Sequence, residues 1–167
     1  EKRVEPKRTS KSMRRREARL NGDYKEYCAS IKTPLVTTRF NTNTWNENIE
    51  YRKKHPALGC VYATPDINSG RIAPDSVLFV LEMNNDMNII EGIGLIKNMP
   101  CGKQHNIYKD MNYNRHIYKS KYRLRRDELI KSDDKCTLLN ILEYIVFYEK
   151  NHLKRGSGFA LLNQQLI

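Results

Sequence analysis

The segment spanning residues 75–97 constrains the fold more than any other part of this chain. Residues 75–83 (DSVLFVLEM) and 89–97 (IIEGIGLIK) are rich in aliphatic and β-branched side chains, and Asn84-Asn85-Asp86-Met87-Asn88 between them has turn composition. This pattern predicts a β-hairpin. Gly92 and Gly94 interrupt the return strand at spacing two. Glycines on one face of a strand mark a bulge or a close approach of another group.

Around the hairpin the chain alternates short strands with few helices. Residues 35–40 (LVTTRF) read as a first strand. Thr44-Trp45-Asn46-Glu47 fits a capping box with Thr44 as N-cap, opening a helix from Trp45 to Lys54 that His55-Pro56 closes. Residues 60–63 form a short strand, 67–74 a loop, and 105–108 and 115–119 two further strands about a turn at 110–114. Residues 125–130 suggest a short helix. Residues 137–149 (TLLNILEYIVFYE) predict a stronger helix, buried because apolar residues cover most of its faces. The expectation is one α+β domain over residues 33–167: a small curled, mostly antiparallel sheet or barrel of five or six strands flanked by two helices. Residues 1–32 precede it as a basic arm, disordered at first and helical from Ser12, with Arg14, Arg15 and Arg16 at its centre.

Charge narrows the partners. The chain holds 30 Lys and Arg against 19 Asp and Glu, a net charge of +11. Residues 1–32 carry 11 basic and 5 acidic side chains and residues 103–131 carry 9 and 3, whereas residues 33–102 are nearly balanced with 6 and 7. Two basic blocks flanking a neutral middle point to a polyanion, since phosphates attract such segments without regard to sequence. A solvated surface that keeps the protein soluble is the alternative. Within the second block Tyr108, Tyr113, Tyr118 and Tyr122 interleave with Lys109, Arg115, Lys119, Lys121, Arg123, Arg125 and Arg126. Rings can stack on bases while cations meet phosphates. Strand alternation leaves a second reading open, with tyrosines in the core and cations outside. His152-Leu153-Lys154-Arg155-Gly156-Ser157-Gly158 is either a phosphate-approaching loop or a helix end with compensating cations. Arg39 joins the candidate cations. Trp45, the single tryptophan, is either a stacking platform or core.

Other chemistries find little support. Cys28, Cys60, Cys101 and Cys136 contain no Cys-x-x-Cys pair, so no zinc ribbon or knuckle is encoded and reduced, intracellular thiols are expected. No cofactor is expected either. No apolar run approaches the ~20 residues of a bilayer span. Gly92-x-Gly94 lacks the third glycine and following helix of a dinucleotide fingerprint. Pro74-Asp75 with Glu82-Met83-Asn84 imitates the spacing of a metal-dependent nuclease, but asparagine stands where the lysine belongs.

The hairpin also carries a resemblance. Ala73-Pro74-Asp75-Ser76-Val77-Leu78-Phe79-Val80 followed by Ile90-Glu91-Gly92-Ile93-Gly94-Leu95-Ile96 resembles the PUA-like superfamily, including its EVE and ASCH branches, in which a GD-x-V-x-F strand is answered by a GxGxI/V strand. Thr44-Trp45, Asn48 and Tyr51-Arg52 are similar to the EVE pattern on the preceding helix. The resemblance covers residues 33–100 and implies a compact β-barrel that binds nucleic acid, often RNA or a modified base. The phrases NNDMNIIEGIGLIKN and NYNRHIYKSKYR are similar to proteins of large nucleocytoplasmic DNA viruses, which would place the chain in host cytoplasm, nucleus or virion. The functional expectation is a non-enzymatic nucleic-acid-binding protein. The alternatives are a structural virion or assembly protein whose basic arms dock on other proteins, and a metal-dependent nuclease.

Overall fold

The structure is a computed structural model that describes residues 33–66, 72–102, 105–148, 150 and 152–162. The arm with Arg14, Arg15 and Arg16, and with it Cys28, lies outside the described residues.

The fold is α+β, with seven strands and three helices among the described residues. Strands β1 (Leu35–Phe40), β2 (Cys60–Thr64), β3 (Val77–Asn84), β4 (Ile89–Lys97), β5 (His116–Ser120), β6 (Arg123–Arg125) and β7 (Ala160–Leu161) are joined by helices α1 (Thr42–Lys54), α2 (Arg126–Leu129) and α3 (Asp133–Phe147). A five-stranded sheet has the order β6-β4-β3-β1-β7, and β2 pairs with β5 in a second, two-stranded sheet. The expected hairpin is β3–β4. Contrary to the antiparallel expectation, β1 runs parallel to β3, Leu35 opposite Phe79 through Phe40 opposite Asn84. Helix α1 and strand β2 lie between them in sequence, which gives the chain the length a crossover needs.

No closed barrel forms among the described residues. The shortest connection between the two sheets is the one in which β5 passes through Lys121 and Tyr122 into β6, and the Leu95 N–H donates to the Tyr122 carbonyl at 3.1 Å. Residues 105–108 are not a strand, since the Asn114 side chain takes their hydrogen bonds, its Oδ1 accepting from the Ile107 and Tyr108 amides at 3.1 Å each.

The strands divide two cores between their faces. Val36, Leu78, Val80 and Ile96 meet Tyr62, Ile117 and Tyr118 of the small sheet, with Trp45 of α1 above them. On the other face of the large sheet Leu81, Met83 and Ile90 meet Leu139, Leu142, Val146 and Phe147 of α3. Helix α3 is therefore buried on one side only. Leu138, Ile141, Tyr144 and Tyr148 stand exposed on the other, which corrects the expectation of a buried helix. Helix α1 begins earlier than expected, because Asn41 is its cap. Asn41 Oδ1 accepts from the Thr44 amide at 2.8 Å, and Thr44 Oγ1 accepts in return from the Asn41 amide at 3.0 Å.

A polar knot inside the first core explains the two hairpin glycines. The register slips between Leu81 and Met83, so that Glu82 alone opposes Glu91 and Gly92. Arg123 clasps the buried Glu82 carboxylate, Nε donating to both oxygens at 2.9 Å and Nη2 to Oε2 at 2.5 Å, and the Tyr62 hydroxyl donates to Oε1 at 2.8 Å. A Cβ on Gly92 would stand 2.7 Å from Arg123 Nη2 and 2.8 Å from Glu82 Oε2. One on Gly94 would meet the Tyr62 ring at 2.9 Å and Cys60 Sγ at 3.0 Å. Both glycines are cut-outs for the ion pair and its tyrosine.

Candidate nucleic-acid interface

Where β1 ends and α1 begins, a cleft of about 180 Å³ opens between the cap of the helix, Ala63 of β2, the two tyrosines Tyr108 and Tyr113, and loop 156–158. Thr38, Arg39, Phe40, Asn41, Thr44 and Asn85 complete its lining. The Tyr108 and Tyr113 rings meet edge to face with centroids 6.3 Å apart. Tyr108 is buried and fixed, its hydroxyl accepting from Asn48 Nδ2 at 3.2 Å, while Tyr113 is exposed. Burial holds the Tyr108 hydroxyl above the ordinary tyrosine range, so it stays protonated. The volume is below the ~300–1,000 Å³ of drug-sized sites and suits a single planar ring system.

Charged residues adjoin the lining residues in sequence. Next to the lining residue Asn85, Asp86 Oδ2 accepts from both the Thr42 amide and the Thr42 hydroxyl at 2.8 Å, so a carboxylate already sits on the first turn of α1. These bonds, the backbone one first, hold its pKa below the usual carboxylate value. Loop 153–158 carries Lys154, whose charge also acts on Asp86, and Arg155. Arg39 lies against it and donates to the carbonyls of Leu153, Arg155 and Gly158. Burial lowers the Arg39 pKa from its ordinary value.

The other candidate residues separate into internal and exposed groups. Trp45 is 9% exposed and packs edge to face on Phe40, with the guanidinium groups of Arg52 and Arg123 over its ring at 5.2 and 5.7 Å. It is core, not a surface platform. Arg123 is the cation of the buried ion pair, its side chain 6% exposed. Arg126 is tied to Glu143 and donates to the Ile90 carbonyl at 2.9 Å, fastening α2 to α3 and β4. Arg125 is exposed but paired with Asp127. Arg115, Lys119, Lys121 and Arg155 are exposed with no carboxylate partner among the described residues; Lys121 Nζ lies 5.1 Å from the Tyr122 ring. Lys154 Nζ donates to Asn88 Oδ1 at 2.7 Å. Gly156 is exposed at φ +96°, in the region glycine favours. Tyr118 is buried with Tyr108, whereas Tyr122 is exposed with Tyr113.

Of the nominated residues, Arg39 and Gly156 line the cleft and Arg155 extends its loop. The nominated tyrosines Tyr108 and Tyr113 join them. Sequence reading passed over Thr38, Asn41, Thr44, Ala63 and Asn85. The Asn41-x-x-Thr44 box was visible as a cap signal three residues before the one chosen. Asn85 gave no signal, because its partner, the Lys154 carbonyl, is 69 residues distant.

The nuclease spacing does not assemble. Glu82 spends its carboxylate on Arg123 and Tyr62, and Asp75 is exposed and paired with Lys97 at 3.1 Å. Among the described residues no group of three His, Cys, Asp or Glu side chains could hold a metal ion. Cys60, Cys101 and Cys136 are unpaired, and burial pushes the Cys60 thiol up to about 11. No described helix is long and apolar enough to cross a membrane. Comparison with family models, curated proteins and solved structures returns no match.

Proposed function

We propose that this chain is a non-enzymatic nucleic-acid-binding protein of PUA-like type, which takes an unstacked base into the cleft beside Tyr113 and meets the adjoining phosphates with exposed cations. The observation that carries the reading is the shared lining of one ring-sized cleft by an exposed tyrosine, polar cap residues and a basic glycine loop. An unstacked base needs a π-surface, edge donors and acceptors, and a route for its charged backbone. Tyr113 offers the ring. Asn41, Thr44 and Asn85 offer polar groups, and the exposed Arg155 precedes the lining residue Gly156 in the loop. The curl that carries β5 into β6 and the glycine pair in β4 support the PUA-like part of the reading.

Fluorescence anisotropy with labelled single-stranded RNA and DNA tests it. Tyr113→Ala weakens binding by about one to two orders of magnitude, the equivalent of one base–aromatic stack. Equal affinity of Tyr113→Ala and the parent chain overturns the cleft as the base site. Indifference to every nucleic acid, together with co-assembly into a protein lattice, would favour the structural role instead.

A further inference from the structure

Loop 153–158 is held from behind in a way that turns its backbone donors outward. Arg39 Nη1 donates to the carbonyls of Leu153 and Arg155 at 3.2 Å each, and Nη2 donates to that of Gly158 at 2.5 Å. Asn85 Nδ2 donates to the Lys154 carbonyl at 2.9 Å. Across a trans peptide the carbonyl and the following N–H point in opposite directions, and no described peptide bond is cis. With the Lys154 and Arg155 carbonyls drawn inward, the N–H groups of Arg155 and Gly156 face away from Asn85 and Arg39. No acceptor among the described residues takes either one. Arg155 and Gly156 are both exposed, and nothing stands within 4 Å of where a Cβ on Gly156 would be.

The charge behind the loop is uncompensated. Arg39 has no carboxylate within ion-pair distance among the described residues; neutral carbonyls alone meet its guanidinium, and its buried Nε has no partner. A half-buried cation of this kind favours an anion nearby. Arg155, exposed on the loop itself, adds a second positive charge.

We propose that loop 153–158, seated on Arg39, is a phosphate-binding loop that fixes the phosphate next to the base held in the cleft. This rests on the reading of the cleft as a nucleic-acid site. Two outward amides and the Arg155 guanidinium supply charge-assisted hydrogen bonds to phosphate oxygens. Arg39 is a positioning residue that orients the amides through the carbonyls. The same chemistry suits a phosphodiester within a strand and a terminal phosphate monoester.

The test is amide-resolved NMR titration of the full chain with inorganic phosphate, a nucleoside, its 5′-monophosphate and a dinucleoside monophosphate. Inorganic phosphate is expected to move the Arg155 and Gly156 amide resonances downfield at millimolar concentration, and Arg155→Gln to weaken that response about tenfold. The 5′-monophosphate binds at least about tenfold tighter than the nucleoside. A dinucleoside monophosphate as tight as the mononucleotide assigns the seat to an internal phosphodiester; a preference for the mononucleotide assigns it to a strand end. Amides unmoved by phosphate, while Tyr113 still responds to oligonucleotide, overturn the loop and leave the cleft standing. Amides that respond to phosphate in a chain that binds no oligonucleotide keep the loop and overturn the cleft.

Discussion

Glu82 and Arg123 show how one charged pair governs several positions of this sequence. A carboxylate in the middle of a β-strand, 1% exposed, is costly unless paired and hydrogen-bonded. Arg123 and Tyr62 satisfy it, and burial holds the Tyr62 hydroxyl well above its ordinary pKa so that it stays a donor. Arg123→Met leaves the carboxylate buried without its cation and is expected to cost about 3–5 kcal/mol in urea unfolding. Glu82→Leu combined with Arg123→Met recovers most of that loss, because two apolar chains of similar volume replace the pair. A double variant no more stable than the single one would show that the pair is not the source of the cost. Arg39 is the contrasting case, a cation met by carbonyls alone.

At the scale of elements, α1 is anchored by a residue of another element. Asp86, in the β3–β4 turn, accepts two hydrogen bonds from Thr42 at the start of the helix. Its pKa is depressed in the folded state, so its contribution is present above the unfolded carboxylate value of about 3.9 and is lost as pH falls through the folded value. Asp86→Asn keeps an acceptor for Thr42 but does not titrate. Thermal unfolding of the parent chain and of Asp86→Asn is expected to differ most near pH 5 and to converge as pH falls below 3.8. A gap that stays constant over this range would remove the carboxylate from the account. Helix α3 carries a different lesson. Its apolar residues surround the helix, yet only the face bearing Leu139, Leu142 and Val146 meets the sheet. Composition told how apolar the helix is. The single sheet beneath it decided which side is covered.

At the scale of the whole molecule, the basic character divides into structural and available charge. Arg39, Arg123, Arg125 and Arg126 are engaged within the fold, and Arg115, Lys119, Lys121 and Arg155 remain exposed without carboxylate partners among the described residues. If these four meet phosphates of a single strand, log affinity falls with log salt at a slope of roughly −3, about 0.7 for each phosphate neutralised. Replacing all four by glutamine is expected to flatten the slope towards zero in anisotropy titrations across salt. Arg126→Gln is expected to leave it unchanged, since that guanidinium is tied to Glu143 and the Ile90 carbonyl. A slope unaltered by the fourfold change would place the nucleic acid on other cations.

Local pattern by itself determined the α+β class and the strands β1 to β5, but not the short edge strands β6 and β7, and it placed a strand at 105–108 where Asn114 takes the backbone hydrogen bonds. The β3–β4 hairpin, β1 at Leu35–Phe40, the end of α1 at His55-Pro56 and the demand for close approach at Gly92 and Gly94 were legible, because propensity, turn chemistry and periodicity act over a few residues. Tertiary structure alone decided that β1 lies parallel to β3, that Arg123 turns inward to Glu82, 41 residues away, and that Arg39 reaches the Gly158 carbonyl across 119 residues. Such pairings depend on which faces meet when the sheets curl, and a basic side chain written in sequence carries no mark of the carboxylate or carbonyl that will claim it.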